Sequence, residues 1–273
     1  MKVHHVNCAT MCPVAAGPLL GGHMVCHCLL IETADAGLVL VDTGLGTADV
    51  EGETPLTGTF RHLVRPKLDR DETAVERVRD LGFEPEDVRH VILTHLDVDH
   101  AGGLPDFPNA TVHLHAREKE SIGEAPGLIV ERRVPDHWAH EPDWHPYEPD
   151  GQPWFGFDAV RDLDGLPPEI LLIPLAGHTL GHTGVAVDTD DGWLLHAGDA
   201  YFSHGEIVDG SCPAALRMFQ RILDEDREAR FRNQRRLRKL QDRGDIEVFC
   251  AHDREEFDRA RAPRTPGSPT PDA

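Results

Sequence analysis

The run His95-Leu96-Asp97-Val98-Asp99-His100 constrains this chain more than any other stretch. It follows residues 89–94 (RHVILT), which read as a short buried strand, and precedes Ala101-Gly102-Gly103. Four side chains of ligand type thus lie within six residues, in a loop at the C-terminal end of a strand. A regular strand would send alternate side chains to opposite faces, whereas a loop can converge them. Imidazole and carboxylate together suit zinc, manganese and iron.

Three more candidates also follow apolar segments. His178 follows residues 169–174 (EILLIP), Asp199 follows 192–197 (GWLLHA) and His252 follows 246–250 (IEVFC). Groups that repeatedly follow strand ends collect at one rim of a sheet, where α/β architectures place their sites. A lone histidine is most often a surface or satisfied core residue. It is the ordered set that points to a metal centre.

The rest of the pattern supports one α/β domain over residues 1–260. Strands are expected at 2–7, 23–33, 38–42, 110–114 and 184–190, with helices at 71–82 and near 116–122, a long helix or helix pair over 213–243, and a closing helix after His252. Residues 124–168 are rich in Pro, Trp, His and Asp and read as a lid or pocket wall. Trp138, Trp144, Trp154 and Phe155 are its candidates for lining an acyl pocket. The Pro-rich tail, 261–273, is expected to be disordered.

Composition narrows the partners. At 40% hydrophobic residues the chain can bury a core, and its net charge of −21 repels nucleic acid and anionic lipid alike. No apolar run approaches the ~18–20 residues of a membrane span. Met1 to Thr10 contains one lysine and no apolar signal region, so a cytoplasmic location is expected. The six cysteines form no C-x-x-C pair and read as free, mostly buried thiols.

With these residues in place the chain resembles the metallo-β-lactamase fold superfamily over about residues 1–257. The family's motifs occur in order: Asp42 in VDTG, the hexad, His178, Asp199 and His252. GHTLGHTGV, GDAYF and AHDREEF are most similar to the N-acyl-homoserine lactonase branch. The resemblance implies a four-layer αβ/βα sandwich with two divalent ions at one edge, zinc first and manganese or iron as alternatives. It implies His95, Asp97 and His178 on one ion and Asp99, His100 and His252 on the other. Asp199 would bridge them, and Asp42 would buttress the loops without touching metal. The family's second hexad histidine is Asp97 here. An extra carboxylate weakens the Lewis acidity of its ion and favours harder metals.

The reading that follows is hydrolysis of a lactone or related ester in a small-molecule substrate by a metal-bound hydroxide. Asp99 would be ligand and proton shuttle, and Tyr201 the donor to the substrate carbonyl. Tyr201 stands one residue before the place where lactonases of this branch carry a tyrosine, which is Phe202 here. A thioester hydrolase is the alternative and would need cations such as Arg132, Arg133 or Arg161. A di-iron redox protein, motivated by Asp97, and a binding protein with a decayed site are further alternatives. A homodimer is the default for a soluble enzyme.

Overall fold

The computed structural model describes residues 1–14, 23–123, 132–148, 151–157 and 161–262. The α-helices among the described residues are α1 (Thr47–Glu51), α2 (Gly58–Leu63), α3 (Ala74–Asp80), α4 (Val98–Ala101), α5 (Ala116–Glu120), α6 (Gly205–Val208), α7 (Ala214–Leu223), α8 (Arg227–Gln241) and α9 (Arg254–Arg261). The described strands form two sheets. The first has the order β4-β1-β2-β3-β5-β6-β7. It comprises β1 (Lys2–Met11), β2 (Met24–Glu32), β3 (Leu38–Val41), β4 (Pro66–Lys67), β5 (Val88–Ile92), β6 (Thr111–His115) and β7 (Asp143–Tyr147). The second has the order β12-β11-β10-β9-β8. It comprises β8 (Arg161–Asp162), β9 (Ile170–Pro174), β10 (Thr183–Thr189), β11 (Gly192–His196) and β12 (Ile246–Phe249).

Period-two alternation explains how these sheets stack. On β2 and β3, Leu29, Ile31, Val39 and Val41 join Leu172, Val185, Val187 and Phe249 of the second sheet in one apolar cluster. The intervening Cys28, Leu30, Leu38 and Leu40 face the other way, onto Ala74, Val75 and Val78 of helix α3 (Ala74–Asp80). On the far side, Leu171, Ile173, Ala186 and Leu195 meet Leu237 and Leu240 of helix α8 (Arg227–Gln241). The layers are therefore helix, sheet, sheet, helix. Where both faces are covered, as for β3 (LVLV) and β9 (ILLIP), the strand reads as an unbroken apolar run.

Residues 213–243 form a helix pair, α7 (Ala214–Leu223) and α8, separated at Asp224–Asp226. The Asp226 carboxylate accepts the Ala229 N–H at 2.9 Å and caps α8, while buried Arg230 pairs with Asp224 at 2.6 Å. The described parts of 124–168 are more than a loop. Asp143–Tyr147 is β7, which extends the first sheet parallel to β6. Trp138 and Trp144 pack against the α3-side core, and Trp154 is buried with the α8-side core. Residues 124–131, and 263–273 of the expected tail, lie outside the described residues. No helix among the described residues is long and apolar enough to cross a membrane.

A buried polar chain links β6 to its neighbours. The Tyr147 hydroxyl accepts the Asp164 N–H at 3.0 Å and lies 2.8 Å from His113 Nδ1. His113 Nε2 lies 2.9 Å from His90 Nδ1. The consistent assignment has Tyr147 donating to a neutral His113, which donates onward. Burial, with His90 and His145 nearby, pushes His113 down to about 3. A histidine depressed in the fold contributes stability above its unfolded pKa of about 6.5 and loses it as pH falls toward 3. The shift sets a ceiling of about 5 kcal/mol. His113→Gln should flatten the stability loss between neutral pH and pH ~4, as read by urea unfolding across that range.

Candidate metal centre

Strand direction gathers the candidates. β3 and β5 run parallel, and β9, β11 and β12 share one sense in the second sheet. The loops after their C-terminal ends carry Asp42, His95–His100, His178, Asp199 and His252. They meet around Asp199. Its Oδ1 lies 3.3 Å from His100 Nε2 and 3.1 Å from His252 Nε2. Its Oδ2 lies 3.3 Å from His178 Nε2 and 3.8 Å from His95 Nε2. Asp99 Oδ2 is 3.7 Å from His252 Nε2, and Asp97 Oδ2 is 3.4 Å from His95 Nε2. Among the described residues, donor atoms within 4.8 Å of one another form three groups that could hold a metal ion. They are His95, His100 and Asp199; His95, Asp97 and His178; and Cys26, Asp99 and His252.

Three imidazoles are locked with Nε2 inward. His100 Nδ1 donates to Asp42 Oδ2 at 2.8 Å, and His252 Nδ1 donates to the Val25 carbonyl at 2.9 Å. The Thr94 hydroxyl donates to Asp42 Oδ2 at 2.8 Å, so it accepts from His95 Nδ1 at 3.0 Å. Such outer bonds fix the tautomer and present Nε2 lone pairs to an ion. Among the described residues His95 Nε2, His100 Nε2, Asp97 Oδ1 and Asp199 Oδ1 are buried without a hydrogen-bond partner. Each such atom costs about 1–3 kcal/mol, and here they converge, as a bound cation requires. Burial would lower the His100 pKa, but Asp199, Asp42 and Asp99 outweigh it and raise it well above its usual value. The electrostatics thus favour positive charge at this point.

The loops are held by Asp42 and by residues that the linear sequence does not mark. Asp42 takes a left-handed backbone (φ 54°) and also accepts the Thr94 N–H at 2.8 Å. His182 Nε2 accepts the Asp199 N–H at 2.8 Å while its Nδ1 donates to the Leu175 carbonyl. Gly198 lies directly against that ring, since a Cβ there would fall 2.6 Å from His182 Nε2 at φ +52°. Buried Glu118 accepts the Leu96 N–H at 3.0 Å and the Thr179 hydroxyl at 2.6 Å, tying the hexad loop to the His178 loop. Cys26, one of the six thiols read from sequence as free and mostly buried, stands in the group with Asp99 and His252.

Arg132 is the largest surprise. Its Nε and Nη2 lie 2.8 and 2.7 Å from Asp97 Oδ2. Its Nη1 donates to the Leu223 carbonyl at 2.5 Å, and its Nη2 lies 2.6 Å from His178 Nε2. A guanidinium can only donate, so His178 Nε2 accepts and its proton sits on Nδ1. The 3.0 Å contact between His178 Nε2 and Asp97 is then two acceptors sharing one cation. Burial and the neighbouring Arg132 push His178 down to about 3, in agreement. Burial would raise Asp97, but Arg132 and His95 hold its carboxyl well below its usual range.

Tyr201 does not reach the centre. It is fully buried in the α8-side core, where its hydroxyl donates to Glu256 at 3.0 Å. The next residue, Phe202, faces the site instead, its ring 4.9 Å from that of His252. Tyr201→Phe should therefore cost about 1 kcal/mol of stability, the value of one buried hydrogen bond, and leave turnover unchanged. Thermal unfolding and steady-state rates of the same preparation check this. The pocket over the centre is walled by Met11, Met24, Phe60, Phe202, Phe219 and Leu223, with Asp97, Asp99, Arg132, Asp199 and His252 at its floor. The expected Trp138, Trp144, Trp154 and Phe155 are not among its lining residues.

A sandwich of this layering with imidazoles and carboxylates at one sheet edge defines a class of metallohydrolases. The family model of the metallo-beta-lactamase superfamily matches residues 21–252, and the chain belongs to that superfamily. It is 41% identical over 266 residues to a probable metallo-hydrolase of Mycobacterium tuberculosis, covering 96% of this chain and 83% of the relative. It is 28% identical over 164 residues to an N-acyl homoserine lactonase of a Bacillus species, covering 60% of this chain and 58% of that one. Its fold superposes on an N-acyl homoserine lactone hydrolase holding N-hexanoyl-L-homoserine at its catalytic metal centre. That match has a TM-score of 0.73 at 23% identity, over 95% of this chain and 96% of the other. The protein is a hydrolase of this superfamily.

Proposed function

We propose that the chain opens the ring ester of a lactone with an apolar acyl substituent, using a divalent ion held by Asp99, His100, His252 and Asp199. The observation that carries this reading is the set of inward Nε2 lone pairs of His95, His100 and His252, gathered where Asp99, Asp199 and His252 line an apolar pocket. The lactonase relatives support the substrate class. When bound, the ion supplies Lewis acidity and an activated water, with zinc first and manganese or iron as alternatives. The protein's part is orientation, exclusion of water and proton handling. Met24, Phe202 and Phe219 would seat an acyl chain, leaving the ester over the floor. Asp99 lies on that floor with its side chain 14% exposed, placed to carry a proton to the leaving alkoxide.

Two of the three candidate cations of the thioester alternative are engaged by carboxylates. Arg132 is engaged by Asp97, and Arg133 by Glu225 at 3.0 Å and Glu118 at 3.4 Å. Arg161 lies on β8, at the edge of the second sheet. The redox alternative loses its motive, because Asp97 has an arginine partner.

The test is a substrate panel of N-acyl homoserine lactones of increasing chain length, unsubstituted lactones and S-acyl glutathiones, on chelated and metal-restored protein. Metal-dependent lactone opening with kcat/KM rising with chain length is expected. Faster cleavage of the thioesters, or no ring opening at all, would overturn the reading.

A further inference from the structure

The two halves of the centre do not fit an ion equally well. In one half, His100 Nε2 and Asp199 Oδ1 are buried without hydrogen-bond partners, and Asp99 and His252 stand beside them. In the other half His95 Nε2 and Asp97 Oδ1 are likewise without hydrogen-bond partners, but the same nitrogen of Arg132 that lies 2.7 Å from Asp97 takes the lone pair of His178 Nε2 at 2.6 Å. The family resemblance asks for a metal ion on those two side chains. The structure gives them a guanidinium.

We infer that Arg132 takes the place of the first ion, so that each chain binds a single divalent ion and Asp97 serves as the arginine's anchor. This rests on the metallohydrolase reading above and deepens it. Arg132 is fixed from three sides. Asp97 receives its Nε, the Leu223 carbonyl receives its Nη1, and its own backbone carbonyl accepts the Val98 N–H at 2.8 Å. It cannot lose its charge at any accessible pH. A divalent ion in contact with a fixed guanidinium would be repelled by its full charge. The carboxylates cannot favour both cations at that point.

The departure in sequence and the departure in space explain each other. A neutral histidine at position 97 would offer an arginine one lone pair. A carboxylate takes two N–H groups and the full charge. Asp97 was readable from sequence as an additional metal ligand suited to hard ions. Beside Arg132 it is the counterion that lets a cation of the protein itself occupy the site. His178 supports this as well, because its Nδ1 has no partner of the kind that orients His95, His100 and His252. Metal-ligating histidines almost always have one.

The experiment measures ions per chain and their mutual coupling. The full chain is stripped with chelator, equilibrated with manganese(II), and examined by elemental analysis and electron paramagnetic resonance. The parent protein is expected to hold one ion with the signal of an isolated manganese. The double variant Asp97→His, Arg132→Ala should hold two, with the signal lost to spin coupling. Arg132→Met alone should admit a second, weaker ion. Two tightly bound, coupled ions in the parent protein would overturn the inference, whether or not the variants fold. A parent protein with one ion that opens no ester would leave the inference standing and remove the hydrolase reading. Two ions with lactone opening would do the reverse.

Discussion

Asp199→Ala is expected to abolish lactone opening, by on the order of 10³-fold or more, and to release the bound ion. That factor corresponds to about 4 kcal/mol of transition-state stabilisation, within the several kcal/mol a Lewis acid supplies. Asp199 carries this weight because its two oxygens stand within 4 Å of four imidazoles, His95, His100, His178 and His252. No other side chain of the centre touches both halves so evenly. The substitution spares the loop, since the position is held through its backbone N–H on His182. Loss of ion should therefore appear without loss of fold. Ion content, turnover and circular dichroism on one preparation check all three. A rate within tenfold of the parent would remove Asp199 from the centre.

Asp42→Ala should weaken ion binding by about 10–100-fold and destabilise the protein by about 2–4 kcal/mol. The carboxylate accepts the Thr94 N–H, the Thr94 hydroxyl and His100 Nδ1, all buried. Alanine leaves three donors without an acceptor and frees the His100 ring to turn. Thr94 is also the partner of His95 Nδ1, so the disturbance spreads to a second imidazole. Asp42→Asn separates charge from backbone, because asparagine tolerates the left-handed φ of this position. It should still loosen the ion, since its amide cannot accept from all three donors. Equilibrium dialysis with zinc and urea unfolding of both variants measure the two effects. Unchanged ion affinity in both would mean that His100 needs no buttress.

Strands such as β3 and β9 were legible because burial on both faces leaves unbroken apolar runs. The hexad, His178, Asp199 and His252 were legible because each follows such a run directly. What sequence could not show is partnership across space. Arg132 and Asp97 are separated along the chain with no motif between them, and Cys26 approaches Asp99 and His252 from a different strand. Tyr201 failed by a single residue. The turn after β11 sends residue 201 into the core and Phe202 toward the pocket. The pocket wall was sought in the aromatic stretch 124–168. It comes from Met11, Met24 and Phe60 near the first sheet and from Phe219 and Leu223 of α7, whose apolar residues give no sign of a ligand.

The most direct test is a titration of zinc back into chelated protein, reading bound ion and lactone opening in the same samples. Opening is expected to rise in proportion to bound ion, to level off at a single ion per chain, and to be absent from Asp199→Ala at every point. Ring opening by the ion-free protein, or full ion binding with no lactone or other ester cleaved, would contradict a metal-dependent esterase centred on Asp199.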